Sequence, residues 1–149
     1  MMPKLTVLIL CTGNSCRSQM AEGLLRAAAG DLIEVHSAGV KPAAQVQPGA
    51  IAVLAEIGID ISAQRPKHLD CFLHRPMHTV ITVCDHVAEV CPVFPGKVRR
   101  HHWGFRDPAQ AVGSEVAVMG EFRAVRDEMK RIFDAYAGGL RDGINPIAR

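Results

Sequence analysis

The stretch Cys11-Thr12-Gly13-Asn14-Ser15-Cys16-Arg17-Ser18 constrains this chain more than any other. It lies between a continuous apolar run, Leu5 to Leu10, and an alanine-rich segment in which Met20, Ala21, Leu24, Leu25 and Ala28 recur at helical spacing. An apolar run without polar alternation reads as a buried strand, here 4–10. The following periodicity predicts an amphipathic helix over 17–30. A cysteine, five residues and an arginine at a strand-to-helix turn form a cradle for a tetrahedral oxyanion. Consecutive loop N–H groups and the helix N-terminus face the negative oxygens, and the planar guanidinium of Arg17 grips two of them at once. The same field is expected to lower the pKa of Cys11 and make it a nucleophile.

Each loop residue has an expected part. Thr12, Gly13, Asn14, Ser15, Cys16, Arg17 and Ser18 line the substrate. Gly13 is expected to free the backbone for the turn. Asn14 holds an unusual conformation by bonding across the loop, and Ser18 donates to the Cys11 thiolate. The Cys16 side chain is read as structural. The Gly-Lys-Ser/Thr ending of a nucleotide-binding P-loop is missing, and the spacing of Cys11 and Cys16 is not that of a C-x-x-C redox pair.

Further along, a strand is expected at 33–36, with Ser37-Ala38-Gly39 as a turn. Pro48 opens a helix whose stripe runs over 50–57 until Gly58. A short helix or irregular crossover fills 62–70, and strands follow at 79–83 and 97–101. Phe122, Val125, Met129, Ile132, Phe133 and Tyr136 mark the strongest helix, which Ser114 caps if it begins early and Gly138-Gly139 is expected to end. Short strands alternating with helices predict a three-layer α/β sandwich around a central parallel four-stranded sheet. The Cys11 loop then sits at the carboxyl end of the first strand, where open α/β sheets build their sites. A single catalytic domain is expected over 1–137, followed by a tail, 138–149.

At 149 residues the chain fits one domain with one core. A net charge of +2 gives no global pull toward nucleic acid or a membrane surface. No apolar run approaches the length of a membrane span, and the apolar start is interrupted too soon for a signal peptide. A cytoplasmic monomer is expected. The five cysteines then read by default as reduced thiols. The histidines offer no compact four-ligand set, so no metal site is assigned.

Two other features carry chemistry. Asp107-Pro108 forms a turn able to lower a carboxyl group onto an anion held by Cys11, as a proton donor. Cys84 and Cys91 are seven residues apart; on one intact helix they would lie about 10.5 Å apart along the axis, beyond the roughly 7 Å Cα separation a disulfide tolerates. A bond between them requires the intervening segment to unwind. The pair reads equally as a thiol relay or as two core cysteines.

The run 11–22, with Ser37-Ala38-Gly39, Ile59-Asp60-Ile61-Ser62, Val83-Cys84-Asp85, Cys91-Pro92, His102-Trp103-Gly104-Phe105 before Asp107-Pro108, and Phe122 to Glu128, closely resembles thioredoxin-coupled arsenate reductases, which share the low-molecular-weight protein tyrosine phosphatase fold. The resemblance covers about 4–137. It implies that Cys11 attacks arsenate while Arg17 and the loop hold its oxygens, and that Asp107 protonates the leaving hydroxyl. Cys84 then attacks Cys11, and Cys91 resolves the bond. No cofactor is tightly bound; external thioredoxin or a similar dithiol carrier is the electron donor. Some relatives hold potassium through groups matching Asn14, Glu22 and Ser37, a site not expected to be required. The alternative is a phosphatase hydrolysing phosphate monoesters, although Ala109 stands where an aromatic usually stacks on phosphotyrosine. Arg106 departs from the usual acidic residue and is expected to strengthen anion attraction or to alter the Asp107 pKa. Cys71 is expected to be dispensable.

Overall fold

The computed structural model describes residues 4–84, 94 and 96–144. Strands β1 (Leu5–Cys11), β2 (Ile33–Gly39), β3 (Thr79–Thr82) and β4 (Arg99–His102) make one sheet in the order β2-β1-β3-β4, with every pairing parallel. The described helices are α1 (Arg17–Ala29), α2 (Pro48–Ala55) and α3 (Glu115–Ile144), with short 3-10 turns at Leu69–Phe72 and Pro108–Gln110. β1 is an inner strand, which is why Val7 to Leu10 needs no polar alternation: all four are buried. On β2, Ile33 and Val35 are buried, while Glu34 and His36 alternate to the other face. There the His36 ring meets Phe72 at 5.2 Å and Arg75 reaches Glu34 at 3.6 Å. The Leu69–Phe72 turn thus packs against that face of β2.

β2 runs three residues past its expected end. Ser37, Ala38 and Gly39 continue in register with Ile9, Leu10 and Cys11 instead of turning. A Cβ on Gly39 would stand 2.5 Å from the Thr12 carbonyl oxygen and 3.0 Å from the Asn14 nitrogen. Only glycine lets the strand end press so closely on the Cys11 loop. α2 starts at Pro48, in a first-turn position, and stops at Ala55, two residues short of the expected span. Residues 62–68 form an irregular crossover. β3 ends at Thr82, and β4 is shifted to Arg99–His102, where pairing with β3 sets the register.

α3 overturns an expectation. It does not stop at Gly138-Gly139 but continues to Ile144, so the expected tail begins inside a helix. Interior glycines cost about 1 kcal/mol each relative to alanine. Tertiary contacts offset this: Leu140 packs on the core, and Arg141 donates to the Asp31 carboxylate and, at 2.8 Å, to the Ala28 carbonyl. At the other end Ser114 does cap the helix, its Oγ accepting from Ala117 N–H at 3.1 Å. Phe122, Val125, Met129 and Phe133 are buried as the stripe predicts. Arg126 ties α3 to α2 through the Val53 carbonyl (2.9 Å) and Glu56 (2.7 Å). Among the described residues no helix is long and apolar enough to cross a membrane.

Candidate active site

β1 delivers Cys11 at its carboxyl end, 4% exposed, directly before the loop. The loop carbonyls are tied away from the cradle. Those of Thr12, Gly13 and Ser15 accept from the N–H groups of Lys41, Ala43 and Gln47 at 2.9, 2.9 and 2.8 Å. A trans peptide sets its N–H opposite its C=O, so carbonyls turned toward 41–47 aim the following N–H groups inward at an anion. The left-handed position is Asn14, at φ 50°, the unusual conformation expected of it; at Gly13 a Cβ would meet only ordinary contacts. Asn14 tolerates this conformation because its side chain is fully engaged. Its amide donates to Ser18 Oγ (2.8 Å) and Ser37 Oγ (2.9 Å) and accepts from Gln19 (3.1 Å) and the Lys67 N–H (2.8 Å). Ser18 Oγ accepts from Asn14, which leaves its own O–H free to donate.

Arg17 opens α1, as the spacing predicts. Its Nη1 donates to the Phe105 carbonyl at 3.0 Å, and Nη2 lies 3.5 Å from Asp107 Oδ2. Its Nε is buried without a hydrogen-bond partner, a donor left for an anion in the cradle. Asp107 caps the Pro108–Gln110 turn, Oδ1 accepting from Ala109 N–H at 3.0 Å, so the turn aims the carboxylate at Arg17. Arg106 faces the other way. It donates to Glu121 on α3 at 2.9 Å and lies 4.0 Å from Glu128, so its charge is paired on α3.

Cys84 follows β3 and is buried. The Val83 N–H donates to the Leu10 carbonyl at 3.0 Å, so the ends of β1 and β3 stand side by side. Cys84 Sγ lies 3.4 Å from Thr12 Oγ1, beside Cys11. This contact reverses the expected pKa shift. The Cys84 sulfur, then burial, push the Cys11 thiol above the ordinary thiol range, and Arg17 with the Thr12 N–H only partly opposes them. Cys16 is pushed up to about 12 by burial and the Asp107 charge, so it is an unreactive neutral thiol at neutral pH. Cys71 is exposed, away from the loop. Cys91, the other cysteine of the expected relay, lies outside the described residues.

Sequence reasoning missed two supports. Gln19 is wholly buried and donates to the Asn14 and Arg65 carbonyls at 3.0 and 2.9 Å. Lys67 places Nζ 3.7 Å from Glu22. The signal for Gln19 was available: it is a polar residue on the buried side of an apolar helix. The groups matching a potassium site do not suit that ion here. Asn14 Oδ1 already accepts two N–H bonds, the Ser37 hydroxyl donates to Glu22 while accepting from Asn14, and Glu22 is paired with Arg26 at 2.8 Å and with Lys67.

A parallel α/β sandwich with a Cys–Arg oxyanion loop and a facing aspartate defines a cysteine-nucleophile enzyme acting on tetrahedral oxyanions. Residues 6–143 match the family described as low molecular weight phosphotyrosine protein phosphatase, and the chain belongs to it. It is 46% identical to an arsenate reductase of Halalkalibacterium halodurans over 136 residues, 91% of this chain and 97% of that one. A solved structure described as an arsenate reductase in oxidized state superposes with a TM-score of 0.75 at 29% identity, covering 91% of this chain and 98% of the other. A thioredoxin-dependent arsenate reductase of Corynebacterium glutamicum superposes with a TM-score of 0.61 at 31% identity, over 90% of this chain and 64% of that one.

Proposed function

We propose that this chain reduces arsenate to arsenite by a thiol relay. The observation that carries it is the second thiol, Cys84, buried beside the Cys11 loop with its Sγ 3.4 Å from Thr12 Oγ1. A phosphoester hydrolase has no use for a sulfur there. The arsenate reductases among its relatives support the same reading.

Cys11, its thiol proton passing to an oxygen of the bound arsenate, attacks arsenic, held by the loop N–H groups and Arg17, and an arsenate hydroxyl leaves as water once Asp107 supplies a proton. Arsenate oxygens on Arg17 add an acceptor for its unpaired Nε. The Cys84 thiolate then attacks Cys11 Sγ. The sulfur–arsenic bond breaks with its electron pair remaining on arsenic, giving arsenite and a Cys11–Cys84 disulfide. Cys91 attacks Cys84, releasing the Cys11 thiolate and leaving Cys84–Cys91. An external dithiol, thioredoxin by analogy with the Corynebacterium relative, reduces that bond.

The second reading, hydrolysis of phosphate monoesters, is favoured by the Arg17–Asp107 pairing and by the family itself. Arsenite formation from arsenate with thioredoxin, thioredoxin reductase and NADPH tests the proposal. Turnover supports reduction; phosphoester hydrolysis without arsenite sinks it in favour of the phosphatase.

A further inference from the structure

Glu22 is a buried carboxylate that the relay does not use. Its side chain, 5% exposed, sits on α1 one layer behind the loop. A buried carboxylate survives only when paired and hydrogen-bonded. Three groups reach this one: the Ser37 hydroxyl, Arg26 Nη2 at 2.8 Å and Lys67 Nζ at 3.7 Å. Ser37 in turn accepts from Asn14, the left-handed residue of the loop. Lys67 touches the same residue a second way, its backbone N–H donating to Asn14 Oδ1 at 2.8 Å. Its ammonium also donates to the Arg65 carbonyl at 2.8 Å. The Lys67 ammonium is thus a cation held by a carboxylate and a carbonyl oxygen, the ligand types a bound alkali ion takes. Glu22, Arg26, Lys67, Arg65, His36 and Asp60 line a cavity of about 470 Å³, so solvent ions reach the spot.

We infer that Lys67, with Arg26, is a built-in counter-cation that positions the oxyanion loop through Glu22, Ser37 and Asn14 in place of an exchangeable monovalent ion. Fixing the Glu22 charge orients the Ser37 hydroxyl, whose lone pair then orients the Asn14 amide. With Asn14 held, the loop keeps its N–H groups converged. Lys67 and Arg26 are positioning residues, since neither touches the anion. The inference rests on the loop being an oxyanion site, not on the anion being reduced.

The test reads inorganic phosphate affinity by calorimetry on the full reduced chain, in sodium, potassium and ethylammonium chloride at equal ionic strength. The native protein should bind phosphate equally in all three. Lys67→Ala should bind about 3- to 30-fold more weakly in sodium and recover in ethylammonium or potassium, and Lys67→Arg should stay near native. If Lys67→Ala does not fold, Lys67→Met, which keeps the apolar stem, carries the comparison. Potassium-specific tightening in the native protein, or a variant lacking the ammonium that binds as natively in sodium, would overturn the inference. Absence of arsenate turnover with these phosphate effects intact would overturn only the proposed reaction.

Discussion

Asn14→Ala probes the loop at its most constrained point. Asn14 is wholly buried at φ 50° and makes four side-chain bonds, to Ser18, Ser37, Gln19 and the Lys67 backbone. A buried neutral hydrogen bond contributes about 1 kcal/mol net, so losing the four costs about 4 kcal/mol. Holding alanine in the left-handed region adds about 1 kcal/mol or more, because it has no side-chain bond to support that backbone. The total is a large share of the roughly 5–15 kcal/mol that a typical domain has. Asn14→Gly should fall less far, since glycine takes the same φ without strain. Urea denaturation followed by circular dichroism, with midpoints compared at equal slopes, measures both. An alanine variant within about 1 kcal/mol of the native protein would refute the claim that this side chain braces the loop.

Three other outcomes are expected. Cys84→Ala removes the largest cause of the raised Cys11 pKa, so Cys11 should become a thiolate at lower pH, and its alkylation profile should move down the pH axis; an unmoved profile contradicts the thiol pairing. Gly39→Ala drives a Cβ onto the Thr12 carbonyl oxygen and should destabilise the fold by about 1–3 kcal/mol while weakening phosphate binding; a native melting curve would show that the strand end can yield. Glu56 is held at about 2, below its ordinary 4.5, by Arg123 first and Arg126 second. A depressed carboxylate stabilises above its unfolded pKa and loses that contribution as pH falls from 4.5 toward about 2. Glu56→Gln should therefore flatten the acid limb of the stability curve, and an unchanged slope there would count against the pairing.

The junction from β1 through the loop into α1 was legible because apolar run, loop and helical stripe are contiguous. The parallel sheet and the capped start of α3 followed from the same local patterns. Departures came where distant partners decided. Ser37 to Gly39 look like a turn in isolation, yet pairing with β1 makes them strand. Gly138-Gly139 reads as a stop, yet Arg141 and Leu140 hold the helix on. Lys67 braces Asn14 from 53 residues away, and no periodicity announces such a bond. The Cys11 pKa reversed for the same reason. The loop field was visible, but the Cys84 thiol beside it comes from another strand. Cys84 as a partner of Cys11 was one of two readings of the cysteine pair, and the family resemblance decided between them.

The order of the relay is tested most directly by a single-turnover experiment on Cys91→Ser, reduced, freed of external thiol and mixed with excess arsenate. One equivalent of arsenite per chain, with a Cys11–Cys84 disulfide mapped by mass spectrometry, is the predicted result. Arsenite formed without that disulfide, or no arsenite from a folded protein that still hydrolyses phosphate esters, would contradict it.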